Sequence, residues 1–393
     1  MTAIEKYVQG EKRRRNRLAV CVALLALCAG HVAANGLPAP GLLTWSQVDV
    51  SAASGRIQAI SGDNLGMVVF DTDGDQLWQR SASAETWSRM TSYDDFLVAS
   101  ELFNEGRPGS MSAAGNYVFV GGEDPRNRFA YFDGSDWFES EWTGSNEGMI
   151  ASFSYVATSA NGATQPGDVV TVMMRGSGRV TRAVDGVLAE SPASGVRTPT
   201  SPDGGNYHYR AVTGLPDEHL VWGVTRNGYV SVSDGSGRDG TWAWTTGRFD
   251  TDREGRSIHA IDEDTLVVGT TASGGTSHVY LTADGGATWS ALTDNNFSLT
   301  INAIWADSAS NVYAAPTGSG VYHYDGSSWS AVADIASNDD IRAIHHLDGR
   351  LWFGGADSGG NTILYTAIPE PGTAALLLLG LAALARLRGK IRP

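Results

Sequence analysis

Cysteine is nearly absent from this chain: its 393 residues hold two, Cys21 and Cys28, and both fall in an N-terminal apolar run. Residues 35–368 therefore have no disulfide and no thiolate metal ligand, and their stability must come from packing. Lysine is missing from the same stretch. Of the 28 Lys and Arg, six lie in Met1–Ala34 and four after Ile368, so the 18 that remain are all Arg. Three of the 43 acidic residues (Glu5, Glu11 and Glu370) lie outside the body, which leaves 40 and a charge near −22. That balance argues against nucleic acid or an anionic membrane surface as a partner of the body. It suits a soluble surface protein, or one facing divalent cations or cationic polymers. Long apolar runs are scarce too, and the two present, Leu18–Gly30 and Ala374–Ala385, sit near the ends.

Signatures of chemistry are equally sparse. There is no Gly-x-Ser-x-Gly elbow, no phosphate-cradling loop and no His-x-x-x-His pair. His345 and His346 are adjacent on an expected strand, so they face opposite sides and do not simply share a metal. Asp71-Thr72-Asp73-Gly74-Asp75 puts acids at positions one, three and five of a calcium-type loop. Its glycine comes two residues early, and Ala82 stands where such a loop needs a closing Glu, so a plain Asp/Gly turn is the better reading. No metal site and no cofactor is expected.

The ends carry addresses. In residues 1–34, Lys12, Arg13, Arg14, Arg15 and Arg17 precede the 13-residue apolar run, and Val32-Ala33-Ala34 offers small residues for cleavage. This is the pattern of a secretory signal peptide; an uncleaved anchor is the alternative, but a bilayer span takes about 20 residues. In residues 369–393, Pro369, Glu370 and Pro371 precede the 12-residue run Ala374–Ala385 and a tail with Arg386, Arg388, Lys390 and Arg392. The prolines keep the motif out of a helix, the apolar run can enter the bilayer as a short transmembrane helix, and the basic tail holds its end in the cytoplasm. This end resembles the PEP-CTERM sorting signal of Gram-negative exopolysaccharide producers. The resemblance implies export and recognition by an exosortase, a membrane peptidase acting at the motif. It also implies delivery to the cell surface or matrix, with only the terminal segments touching the membrane, and only before processing.

The body, residues 35–368, is a repeat. Ile301–Val332 reads as four short strands, Ile301–Trp305, Val312–Ala315, Gly320–Tyr324 and Ser328–Ala331, separated by turn residues. A tryptophan after an Asp-Gly type turn opens the outermost strand at Trp87, Trp137, Trp242, Trp289 and Trp329. The opening strand recurs as Ile57-Gln58-Ala59-Ile60, Tyr209-Arg210-Ala211-Val212, Ile258-His259-Ala260-Ile261, Ile301-Asn302-Ala303-Ile304 and Ile341-Arg342-Ala343-Ile344. Weaker copies start at Met111 and Ile150. A four-stranded unit recurring about every fifty residues predicts an all-β fold, a seven-bladed β-propeller. Six or eight blades are the alternatives, because the second and third units are degenerate. The unit from Ile150 lacks the tryptophan, with Leu188 in its place, and Ser191–Asn206 after it reads as a long surface loop. The last unit reaches only its third strand, near Thr362–Thr366. Leu43–Val48, with Trp45-Ser46 in the register of Trp289-Ser290, is expected to supply the fourth and close the ring.

One turn is sharper than the rest. Thr282-Ala283-Asp284-Gly285-Gly286-Ala287-Thr288-Trp289 resembles the Asp-box of sialidase-type propellers, a folding element on the outer side of a blade. The resemblance implies fold rather than activity. A sialidase-like Arg-Ile-Pro segment is not matched, since Gln58 follows Arg56-Ile57, and the catalytic set of that family has no counterpart.

The candidate ligand site follows from the opening strands. The flanking apolar residues need the blade core, so the second position of each motif should point to the central channel. Gln58, Ser112, Ala151, Arg210, His259, Asn302 and Arg342 occupy it. The ligand-binding candidates are Gln58, Arg210, His259, Asn302 and Arg342, and the bland alternative is a hydrated channel. The sequence thus predicts a non-catalytic binding or scaffold module, with an acidic polysaccharide as partner. A glycosidase or lyase acting on extracellular polysaccharide, and an assembly factor of a surface complex, are the rivals. Substituting Glu370→Ala should leave export intact and stop processing, so the precursor stays with the membrane fraction. Normal release of that variant, followed with an antibody to the body, would leave Pro369–Pro371 without a sorting role.

Overall fold

The computed structural model describes residues 43–369, apart from 63–66, 74–75, 82–85, 100–107, 123–127, 142–148, 161–163, 176–178, 189–195, 198–207, 216–218, 234–241, 246, 293–296 and 348. The expected signal peptide, the membrane segment after Pro371 and most of the expected loop Ser191–Asn206 lie outside these residues. Among the described residues no helix is long and apolar enough to cross a membrane.

Among the described residues, twenty-nine strands form seven separate antiparallel sheets, the blades. The innermost strands are Ile57–Gly62, Pro108–Ala114, Met149–Val156, Tyr209–Leu215, Gly255–Ala260, Ile301–Ser308 and Asp340–Leu347, for blades one to seven in order. Each lies against the next, and the seventh lies against the first, so the ring is closed. Blades run outward in sequence order, so blade six is Ile301–Ser308, Asn311–Pro316, Tyr322–Tyr324 and Trp329–Ala331. The turn tryptophans stand where expected: Trp87 and Trp289 immediately precede their outermost strands, while Trp137, Trp242 and Trp329 open theirs.

Blade seven is completed from the other end of the body. Its order places Leu43–Gln47 beside Thr362–Pro369, and the Val48 amide donates to the Leu364 carbonyl at 2.8 Å. Trp45 stacks on Phe353 with ring centroids 4.6 Å apart and meets Tyr313 of blade six edge-on. The closing strand therefore seals the sheet edge and also packs across a blade boundary.

The core lies between blades. In one cluster Trp222, Val224 and Val230 of blade four meet Ile258, Leu266 and Val268 of blade five. Burying each aliphatic side chain contributes about 1.5–3 kcal/mol. Close approach is possible because the second strands carry glycine at the contact. A Cβ on Gly269 would lie 2.6 Å from Ile301 of the next blade, and one on Gly354 would lie 2.7 Å from Ile57.

Two elements depart from the sequence reading. A nine-residue helix, Thr91–Ala99, follows blade one, and its Tyr93 and Phe96 pack on Trp137 of blade two at 5.0 and 5.5 Å. Within Ser191–Asn206, read as a loop, Val196–Arg197 forms a short strand on Arg179-Val180. The Asp284 turn is a dense local network. Asp284 accepts from the Thr288 amide and hydroxyl and from the Thr282 hydroxyl, which itself accepts from the Gly286 amide. These bonds hold the Asp284 carboxyl down to about 2. Gly286 sits at φ 87° with no room for a Cβ beside Thr245. Asp133 takes the same role with bonds from the Ser135 and Asp136 amides, and Asp325 with bonds from the Ser327 amide and hydroxyl and the Ser328 amide.

Replacing Trp45 by Ala should cost about 2–4 kcal/mol, as for other large aromatics lost from packed sites. Removing residues 42–49 should lower the melting temperature further and promote aggregation through the bared edge. An unchanged melting curve for the deletion would contradict closure by this strand.

Two histidines are packed as neutral rings. His323 is buried, its Nε2 pairs with Asn311 Oδ1 at 2.7 Å, and burial lowers its pKa to about 4. His259 lies against Trp305, and burial, then repulsion from His345 and His346, lowers its pKa to about 4 despite a bond to the Ala306 backbone. An unfolded histidine titrates near 6.5, so this stability is present above pH 6.5 and is lost as pH falls towards 4. The urea midpoint should fall across that window, and His323→Gln should shrink the slope. An equal slope in the variant would contradict neutral burial.

Candidate binding site at the channel mouth

Every innermost strand carries a bulge near its start, and that of blade six carries a second between Ala306 and Ser308. Register shifts fall between Ile57 and Ala59, Pro108 and Ser110, Met149 and Ala151, Tyr209 and Ala211, Gly255 and Ser257, Ile301 and Ala303, and Ile341 and Ala343. The extra residue of such a bulge is left out of the ladder and its side chain is re-aimed. The seven extra residues near the strand starts are Gln58, Gly109, Ile150, Arg210, Arg256, Asn302 and Arg342. Six of them, Gln58, Ile150, Arg210, Arg256, Asn302 and Arg342, line a central cavity of about 530 Å3. An adjoining space of about 330 Å3 is bounded by Arg210, Arg256, Asn302 and Arg342 together with Glu254, Thr271, Thr300 and Thr317.

Four of the five sequence candidates, Gln58, Arg210, Asn302 and Arg342, thus converge on one cavity. His259 does not line it. The bulge of blade five falls at Arg256, three residues earlier, so Gly255-Arg256-Ser257-Ile258 is the true counterpart of Ile301-Asn302-Ala303-Ile304. The Ile-His-Ala-Ile match is displaced because Ile258 corresponds to the last, not the first, residue of the motif. Ser112 is displaced in the same way: it is buried and bonds Ser154 of blade three at 2.7 Å. Ala151 adjoins the bulge residue Ile150.

Sequence reasoning missed Arg256 and the acids of the rim. Glu254, just before the innermost strand of blade five, is bridged by two arginines of blade four: Arg210 Nη2 at 3.1 Å and Arg226 Nε at 2.5 Å. Asp340 Oδ2 accepts from Arg342 Nε and Nη2 at 3.1 and 3.0 Å and pairs with Arg56 at 3.0 Å. Its Oδ1 accepts from the Gly318 amide. Arg342 Nη1 also donates to Asn302 Oδ1 at 3.3 Å, and Asn302 donates to Thr317. In blade one, Asp71 accepts from the Ala59 amide, while Asp73 accepts from the Arg56 amide and Gln58. These two acids of the calcium-like pattern therefore brace the bulge. A signal for the rim acids was available: Asp340 and Glu254 each stand two residues before a bulge arginine.

The arrangement is a polar cup with guanidinium groups on the side of blades four to seven, backed by threonine hydroxyls and an amide. Its donors have the chemistry that an anion bearing hydroxyls would need. Every rim carboxylate is already committed to arginine or backbone donors, which suits holding geometry better than donating a proton.

The comparisons bear on the two parts of the chain separately. Residues 367–392 match the PEP-CTERM protein-sorting motif. No curated protein matches the chain by sequence. Among solved structures, YCF48 bound to D1 peptide is similar at TM-score 0.54 and 14% identity, over 85% of this chain and 99% of that one. YCF48 from Cyanidioschyzon merolae aligns at TM-score 0.56 and 16% identity, over 84% and 99%. The WD40 repeats of RRP9 align at 0.55 and 10%, over 84% and 98%. At these identities the likeness is one of fold. The chain therefore carries a PEP-CTERM protein-sorting motif at residues 367–392 behind a seven-bladed propeller, the mark of an exported protein that an exosortase sorts to the cell surface.

Proposed function

We propose that the propeller is a non-catalytic binding module that holds an acidic exopolysaccharide at the channel mouth, at the cell surface or in the matrix around it. The observation that carries this reading is the placement of Arg210, Arg256 and Arg342 around one cavity. Three cations from three blades concentrate there in a body near −22. Guanidinium groups bind carboxylates through paired, charge-assisted bonds. Thr271, Thr300, Thr317 and Asn302 add groups suited to sugar hydroxyls. The about 530 Å3 of the cavity lies within the range of ordinary small-molecule sites, which suits a few sugar units rather than a folded partner.

A glycosidase needs two carboxyl groups, one of them free to give up a proton. Glu254 and Asp340 each serve two arginines, so binding is favoured over hydrolysis.

Titration calorimetry with oligogalacturonate tests the proposal, with neutral dextran as control. Arg210→Ala combined with Arg342→Ala should weaken binding by roughly 1.5–3 kcal/mol for each charge-assisted bond lost, with the melting temperature nearly unchanged. Equal affinity of the two proteins, or no uptake by either, would overturn it.

A further inference from the structure

Two arginines of the channel mouth, Arg210 and Arg342, are already paired with carboxylates of the chain. Glu254 uses one carboxylate oxygen on Arg210 and the other on Arg226, and Asp340 joins Arg342 to Arg56. Each carboxylate therefore sits between two guanidinium groups, the position that a uronate carboxylate would take. Among the described residues Arg210 is engaged through Nη2 to Glu254, and its side chain keeps 29% exposure at the cavity. Its remaining donors are those of a group that exchanges partners. Glu254 is itself part of the cavity wall, so a ligand reaching Arg210 also meets this carboxylate.

Two roles are open to such acids: fixing the arginines in place, or standing in for the ligand. A fixing role fits Arg342, whose Nε and Nη2 are both held by Asp340 while Nη1 is held by Asn302. It fits Arg210 poorly, since a single contact through one terminal nitrogen leaves the guanidinium free to turn. Charge decides in the same direction. A guanidinium–carboxylate pair that is partly open to water loses little when it is exchanged for another of the same kind. A ligand carboxylate added beside Glu254, in contrast, would meet a like charge at close range.

We propose that Glu254 is an internal competitor at the anion site, and that a uronate ligand binds by displacing it from Arg210, while Asp340 holds Arg342 in place. This rests on the acidic-polysaccharide reading of the same cavity. The competition sets specificity: a ligand gains affinity only where it offers a carboxylate able to bridge guanidinium groups, and a neutral sugar gains nothing. It also sets strength, since the internal pair lowers the affinity of the resting site.

The test is calorimetry with oligogalacturonate on the full body carrying Glu254→Gln. The change keeps the shape and removes the charge, and it replaces one of two acceptor oxygens by an amide nitrogen, so the bridge between Arg210 and Arg226 is lost. The variant should bind at least tenfold more tightly than the wild type, and adding Arg210→Ala should reverse most of the gain. A control with Glu263→Gln, which removes the same charge from an exposed site elsewhere, should change affinity little. Unchanged or weaker binding by the Glu254→Gln variant, with the wild type still binding, would overturn the competition and leave the binding site standing. An equal gain in the control would also overturn it. Absence of binding in the wild type and in every variant would overturn the binding site itself.

Discussion

An extra residue in each innermost strand is the constraint on which the site depends. Propeller blades pack face to face, so side chains in regular ladder positions are used up between sheets and the channel sees mainly strand edges. A bulge releases one residue per blade from that alternation. At Arg210, Arg256, Asn302 and Arg342 the released residue is long and polar, whereas at Gly109 and Ile150 it is absent or apolar. The channel is therefore chemically lopsided although the scaffold repeats. Backbone repetition supplies the positions, and sequence variation at single positions supplies the chemistry.

The same strands stitch the ring together. Ser61 of blade one exchanges hydrogen bonds with the Ala113 backbone of blade two, and Thr213 of blade four accepts from the Ala260 amide of blade five. Ser257 of blade five reaches the Ile301 carbonyl, and His345 of blade seven reaches the Gly62 carbonyl of blade one. The rim ion pairs repeat this pattern at the mouth, tying blade four to five and seven to one. Pairs that are partly open to water contribute modestly to stability, so they can serve the site without endangering the ring. Closure itself rests on the apolar seam of Trp45, Phe353 and Tyr313, which does not depend on charge.

Much of this architecture was legible in the sequence because propeller physics repeats. The turn tryptophans mark outermost strands, and Trp45-Ser46 marks the stray strand of the last blade. The helix Thr91–Ala99 was not legible: it is short, and only the packing of Tyr93 and Phe96 on a neighbouring blade makes it worth forming. Arg256 was hidden for a different reason. A repeat read by its apolar residues slides easily, and Ile258-His259-Ala260-Ile261 offered a convincing match three residues out of register. The bulge is a property of pairing between strands, so no single strand announces it. The partners of the arginines were hidden likewise, since Glu254 meets Arg210 and Arg226 only after two blades have packed.

The central claim is that residues released by these bulges, and no outer surface of the blades, form the ligand site. A crystal structure of the body soaked with a short oligogalacturonate tests it most directly. The account predicts a uronate carboxylate within hydrogen-bonding distance of Arg210 or Arg256 at the channel mouth. Sugar density on the outer strands, with the mouth holding only solvent, would contradict it.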